Sequence, residues 1–459
     1  MQAILTTLLF VAPDWVVKLT GERRPNAFWA EYIVWPAVQI IVVLFIVLTL
    51  VAYLVYLERK VSAFMQSRLG PMHVGPWGLL QPLADGIKLL LKEDIIPSKA
   101  DRAVFIVAPI VSVVAALVVL AVIPWGASWA TIANVNIGLL FILAVSSVGV
   151  LGLVLAGWSS NSKYSLLGAL RSSAQMVSYE IGMGLSIIGA LMFARTLSMS
   201  GIIDAQRADG MWYLMFQPLG FLVYVVSALG ETNRAPFDLP EAESELVAGY
   251  HTEYSGFRWA LFFMAEYSAM IVTSAVAVTV FLGGWMLPGV TGTSFFGLFG
   301  PISNPTLHTF ASIIVFAGKI MLLIYAYMWF RWTWPRYRYD QLMELGWKWM
   351  IPASLANIVL TGIWYVLALP KPQGGLLNLM QGGASGRLVP TKLGIAYFIV
   401  TGFGVTIPIV WGLLTTINRR SRDFNLHEQR QLQIQLRRER LEKMLQQPAD
   451  AQPAESGGQ

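Results

Sequence analysis

Three ionisable side chains stand inside long apolar runs: Glu180 in VSYEIGMG, Glu266 in ALFFMAEYSAM, and Lys319 in the run 309–332. A charge in hydrocarbon costs about 2.5 to 3.5 kcal/mol on insertion scales, so each is a functional candidate. Carboxyls held away from water are the groups that load and release protons near neutral pH. The plainer alternatives are a helix-end carboxylate that reaches water, above all for Glu180, and for Lys319 a counter-ion to one of the acids.

A second concentration of chemistry is the segment ETNRAPFDLPEAESELVAGYHTEY, with Glu231, Asp238, Glu241, Glu243, Glu245 and Glu253 against the single Arg234. Asp238, Pro240 and Glu241 fit a helix start: an N-cap, an early proline and a capping-box acid. Glu241 and Glu245, four apart, then share a face. On a soluble helix such a face is usually just solvated. Between two apolar runs, this acid density points to a hydrated polar cavity instead.

Other chemistries are missing from the sequence. There is no cysteine, which excludes Cys-ligated iron–sulfur clusters, disulfides and thiolate metal sites within the chain. The four histidines are scattered, and no metal site is expected. No phosphate-binding loop or strand-led glycine fingerprint occurs. The chain is therefore expected to bind no NADH, flavin or cluster itself, and to hold no catalytic redox residue.

The elements that must position these acids are membrane helices. Of 459 residues, 56% are apolar and 13% charged, against about 25% charged in soluble domains, and the mean hydropathy is +0.60. The net charge of +6 reads as loop bias and not as nucleic-acid binding. A span needs roughly 20 mostly apolar residues, and about nine candidates occur: 31–57, 104–124, 137–158, 177–194, 212–229, 257–283, 309–332, 350–369 and 393–418. No stretch alternates like a barrel strand, so the fold class is an all-α polytopic membrane protein. Most of the 32 basic residues fall in alternate loops and the tail, which places the N-terminus outside and the tail in the cytoplasm. Residues 1–20 lack a basic start and a small-residue cleavage site and do not read as a signal peptide.

The expected organisation is an N-terminal outside segment (1–30), an eight-span core (31–370), an outside loop (371–392), an extra span (393–418), a charged cytoplasmic helix (419–446) and a disordered tail (447–459). Within the first inside loop, GLLQPLADGIKLLLKE sets Leu79, Leu80, Leu83, Ile87, Leu90 and Leu91 on one helical face, with Asp85, Lys88 and Lys92 toward the other. Such a helix either lies in the membrane interface or packs on other spans.

Two segments carry a family resemblance: ERKVSAFMQSRLGPMHVGPWGLLQPLADGIKLLLKE, from Glu58 to Glu93, and LGETNRAPFDLPEAESELVAGYHTEYSGFRWALFFMAEY, from Leu229 to Tyr267. Both resemble the signature regions of the H subunit of proton-pumping NADH–quinone oxidoreductase (respiratory complex I), called NADH dehydrogenase subunit 1 in mitochondria. SLLGALRSSAQMVSYE and RWTWPRYRYDQLMELGWK support it. The resemblance covers roughly residues 31–370.

The resemblance implies a subunit at the junction of the peripheral redox arm and the membrane arm. Its partners would be the peripheral quinone-site and iron–sulfur subunits, the antiporter-like membrane subunits and lipid, with quinone as substrate. Carried over by motif, Glu180, Glu231, Glu241 and Glu266 form an acidic proton path, with Glu243, Glu245 and Glu253 as secondary acids. Glu58, Arg59, Arg68, Asp85, Arg234 and Asp238 line the quinone chamber or its docking surface. The location implied is a bacterial cytoplasmic (inner) membrane. The resemblance predicts nothing for the ninth span and the charged tail. The membrane subunit of energy-converting hydrogenases shares the QxRxGP-like region but lacks PFDLPEAESELVAGYHTEYSG, and a secondary transporter would show broken half-helices in symmetry-related positions.

Overall fold

The computed structural model describes residues 35–127, 130–238, 247–286, 305–370, 375–382, 388–413 and 415. They form twelve helices: α1 Trp35–Met65, α2 Gln81–Leu91, α3 Arg102–Val118, α4 Gly138–Ser159, α5 Lys163–Ala194, α6 Met199–Asp209, α7 Pro218–Glu231, α8 Gly256–Phe281, α9 Pro305–Thr333, α10 Tyr339–Glu344, α11 Ile351–Ala368 and α12 Lys392–Leu413. Short 3-10 turns and the one-turn helix Tyr213–Phe216 connect some of them. The protein is an all-α polytopic membrane protein. One small hairpin interrupts the helices, β1 Met380–Gly382 against antiparallel β2 Leu388–Pro390, with Gln381 opposite Val389.

Eight helices among the described residues are long and apolar enough to cross a bilayer. The candidate span 212–229 differs. It is broken at Gln217 (φ −130, ψ 53), and only the 14-residue α7 continues from Pro218. Proline has no N–H to donate and fits the first helical position, so a new helix starts there and the preceding one stops. Fourteen residues rise about 21 Å, short of the roughly 30 Å hydrocarbon core. Two other helices outrun their predicted spans. α1 continues to Met65, which takes Glu58 into a helix, and α5 begins at Lys163.

α8 is the centre of the bundle. From Tyr267 to Phe281 every residue except Ala269 is buried, and α1, α3, α6, α7 and α9 all pack on it. A helix apolar on every side is stable only in such a position. Close approach also fixes the acid-rich loop. A Cβ on Gly168 of α5 would lie 2.6 Å from the Gly249 Cα, so the backbone of the turn Gly249–His251 rests directly on α5, where Ser165 Oγ donates to the Tyr250 carbonyl (3.0 Å).

α2 has no buried residue, and Leu83, Ile87, Leu90 and Leu91 are all exposed. Of the two expectations for this helix, packing on other spans is seen, since α2 lies against α1 and α8, while its leucine row stays uncovered among the described residues. The expected helix start at Asp238–Glu241, and Glu241, Glu243 and Glu245 themselves, fall on or across residues 239–246, outside the described residues. The segments 1–30, 419–446 and 447–459 also lie outside them.

Candidate functional site

Three elements converge on one buried ion cluster. α1 supplies Glu58, the loop after α7 supplies Arg234, and α8 supplies Glu266 and Tyr267. Arg234 Nη1 donates to Glu58 Oε1 (3.1 Å) and Oε2 (2.8 Å), while its Nε lies 2.6 Å from Glu266 Oε1. Tyr267 Oη donates to Glu58 Oε2 at 2.6 Å, and the guanidinium stacks 4.1 Å over the Tyr267 ring. Arg331, at the end of α9, completes the cluster by pairing with Glu58 Oε1. Glu58 and Arg234 are each 5% exposed. Two charges so placed survive burial only because each is paired and hydrogen-bonded. Burial opposes the Arg234 charge, but the Glu266 and Glu58 carboxylates outweigh it and hold the guanidinium well above its ordinary range.

Asp238 sits nearby, 3.4 Å from Arg336 Nη2. Burial raises the affinity of its carboxyl for a proton, with Arg336 opposing. The loop from Gly230 to Phe237 is held by α5: Gln175 Nε2 donates to the Gly230 (2.9 Å) and Phe237 (3.0 Å) carbonyls, and Asn233 Nδ2 donates to Ser172 Oγ (2.8 Å).

Beside the cluster lies a cavity of about 90 Å³ between α3, α4, α5 and α8, lined by both Glu231 and Glu266 and otherwise mostly by apolar and small residues such as Ala115, Gly149 and Val272. That is room for several waters. Glu231 ends α7, and its Oε2 has no hydrogen-bond partner among the described residues. Glu180, on α5, accepts a hydrogen bond from Ser147 of α4.

The predicted residues thus divide. Glu58, Arg234 and Glu266 come together. Glu231 and Glu266 share the cavity, and Asp238 pairs with Arg336. Arg59 leaves the cluster and pairs with Asp85 of α2 at 2.6 Å, where Gln81 also donates to Asp85 (3.0 Å). Arg68 Nε donates to its neighbour Gln66 Oε1 (2.7 Å), away from the cluster. Glu253, in the turn before α8, joins none of these pairs. Among the described residues Lys319 is no acid's counter-ion: its ammonium donates to three backbone carbonyls at the end of α8. Among the described residues no group of three His, Asp or Glu side chains could hold a metal ion.

Arg331 and Tyr267 were missed from the sequence. Tyr267 directly follows Glu266, and Arg331 opens the RWTWPRYR run at a span end. Residue type marked both, but only the meeting of α1, α8 and α9 gives them a partner.

Residues 38–362 match the family model described as NADH dehydrogenase. The chain is 51% identical over 338 residues to the NADH-quinone oxidoreductase H subunit of Rhodospirillum rubrum, covering 73% of this chain and 96% of that protein. It is 48% identical over 351 residues to the second such H subunit of Geobacter metallireducens, covering 72% and 96%. It is 46% identical over 337 residues to NADH-quinone oxidoreductase subunit 8 of Rhodothermus marinus, covering 72% and 98%. With relatives so similar along nearly their whole length, and a helical core that spans the matched region, this chain belongs to the H-subunit family of NADH-quinone oxidoreductase, a membrane component of respiratory complex I.

Proposed function

We propose that this chain forms the quinone-binding chamber of an NADH–quinone oxidoreductase and the first part of its proton path, and carries no redox centre itself. The observation that supports this most directly is Arg234, which bridges Glu58 and Glu266 at the edge of a cavity that Glu231 also lines. Quinone reduction consumes two protons beside a pocket of low dielectric. Carboxylates coupled through one arginine and one hydrated cavity respond together to a change of charge there.

In this reading the loop surfaces around Arg59, Asp85 and Asp238 face the quinone and the peripheral subunits. Glu231, Glu180 and the acids of 241–245 carry protons toward the antiporter-like subunits. The positive-inside count sets the N-terminus outside and the tail in the cytoplasm of a bacterial inner membrane.

The test is gentle-detergent purification of the tagged chain, with mass spectrometry of what accompanies it and assay of NADH-driven quinone reduction. Flavin and iron–sulfur subunits together with antiporter-like subunits support the reading. Recovery with a nickel hydrogenase pair, or alone, overturns it.

A further inference from the structure

Lys319 lies in the middle of α9, a half-buried cation that the proposed proton path does not use. All three of its N–H groups are spent on main-chain oxygens: the carbonyls of Leu282 (2.6 Å), Gly284 (2.7 Å) and Met286 (2.5 Å). An ammonium has three donors and no acceptor, so this shell is complete. Its Nζ also sits 4.6 Å over the Trp212 ring, whose indole N–H donates to the Met286 carbonyl (3.1 Å).

The three carbonyls follow the last turn of α8, where a helix leaves acceptors without partners. Gly283 (φ 68) and Gly284 (φ 58) take left-handed backbone that folds them onto one point. Gln206 Nε2 covers the adjacent carbonyls of Thr279 (2.8 Å) and Val280 (3.2 Å). Carbonyls left unsatisfied inside a membrane protein are costly, and a cation at a helix C-terminus complements its dipole.

The same two helices are linked a second time, through Glu58 of α1 and Arg234. Glu266 lies sixteen residues before Leu282 on α8, about 24 Å along the axis. Arg331 lies twelve residues after Lys319 on α9, about 18 Å along, and two long side chains span the difference. Arg331 then reaches Glu58, which Arg234 ties to Glu266. A pair tied directly at Lys319 and, by way of α1, at Arg331 has one register, and a slip of one turn, about 5.4 Å, removes Arg331 from the cluster.

We propose that Lys319 is a positioning residue: by holding the Leu282–Met286 carbonyls it sets the register of α9 against α8, and through it the contact of Arg331 with the Glu58–Arg234–Glu266 cluster. The functional part of this rests on the quinone-chamber reading above.

The experiment is a double-mutant cycle in the purified complete complex, reading NADH-driven quinone reduction against NADH oxidation by ferricyanide. Lys319→Met and Arg331→Met each lower quinone turnover about tenfold, as for a small misplacement of reacting groups. If Lys319 acts through Arg331, the double variant stays within about twofold of either single one. Parental turnover in Lys319→Met, or a roughly hundredfold loss in the double variant, overturns the proposal. Should Lys319→Met fail to assemble, the cycle is run with Lys319→Arg, whose planar fork keeps the charge but does not match three converging carbonyls. A parental complex without quinone reduction defeats the functional reading instead. The anchor is then judged by amide exchange at Leu282–Met286, which Lys319→Met must raise and which, if unchanged, overturns it.

Discussion

Arg234 presents its Nε to Glu266 Oε1 at 2.6 Å, which joins the loop after α7 to the first half of α8 across a cavity wall. The same guanidinium holds Glu58 of α1 through its Nη1. One side chain therefore ties three separately threaded parts of the chain.

Replacing that arginine strands two carboxylates. Arg234→Met is expected to destabilise the protein by roughly 3 to 5 kcal/mol, the cost of removing one partner from a buried ion pair. Thermal melting of the purified complex measures it. Adding Glu266→Gln to Arg234→Met should restore part of the loss, because one stranded charge is gone.

Glu231→Gln keeps the shape of the side chain and leaves the cavity in place. Assembly and ferricyanide reduction should be unchanged, while quinone reduction coupled to proton uptake falls by about tenfold or more, the usual weight of a proton-transfer group. Unaltered pumping and turnover would remove Glu231 from the path.

Gln217, at the break before α7, is held by a neutral network. Asn357 Nδ2 donates to Gln217 Oε1 (2.7 Å), and Gln217 Nε2 donates to Thr361 Oγ1 (2.8 Å). Asn357→Leu leaves the Gln217 oxygen buried without a donor and should cost about 1 to 3 kcal/mol. Asn357→Asp keeps an acceptor where a donor is required and should do no better. Melting temperature and assembly yield report both.

His251, in the turn that rests on α5, is pushed by burial down to about 4. Its folded value lies below the ordinary 6.5, so the stability tied to the neutral ring is complete above about pH 6.5. It declines as the pH falls and is lost by about pH 4. Amide exchange across Tyr250–Tyr254 should rise over that interval, and His251→Gln should abolish the dependence.

Much of this site was legible in the residues. Glu266 and Arg234 are exposed to inference because charge in an apolar setting is costly wherever the chain goes. Glu231 and Asp238 stand out by acid density alone. Arg331 was not legible, since an arginine at a span end is usually an interface anchor, and its partner Glu58 is 273 residues away. For Lys319 the plainer alternative is a carboxylate counter-ion, because sequence shows side-chain charges and hides main-chain carbonyls. Hydropathy made 212–229 one span, and Pro218 was the signal that it is two pieces. Hydropathy also ended α1 and began α5 at the edge of the apolar run, whereas backbone hydrogen bonding carries both helices on through polar residues.

α5 is 32 residues long, about 48 Å at roughly 1.5 Å per residue, against some 30 Å of hydrocarbon. The surplus is stiff, and it carries Ser172 and Gln175, which grip the loop holding Arg234, on the same rod as Glu180. Gln175 and Glu180 are five residues apart on an unbroken helix, so the grip on the loop and the Glu180 carboxyl are mounted on one rod with no joint between them.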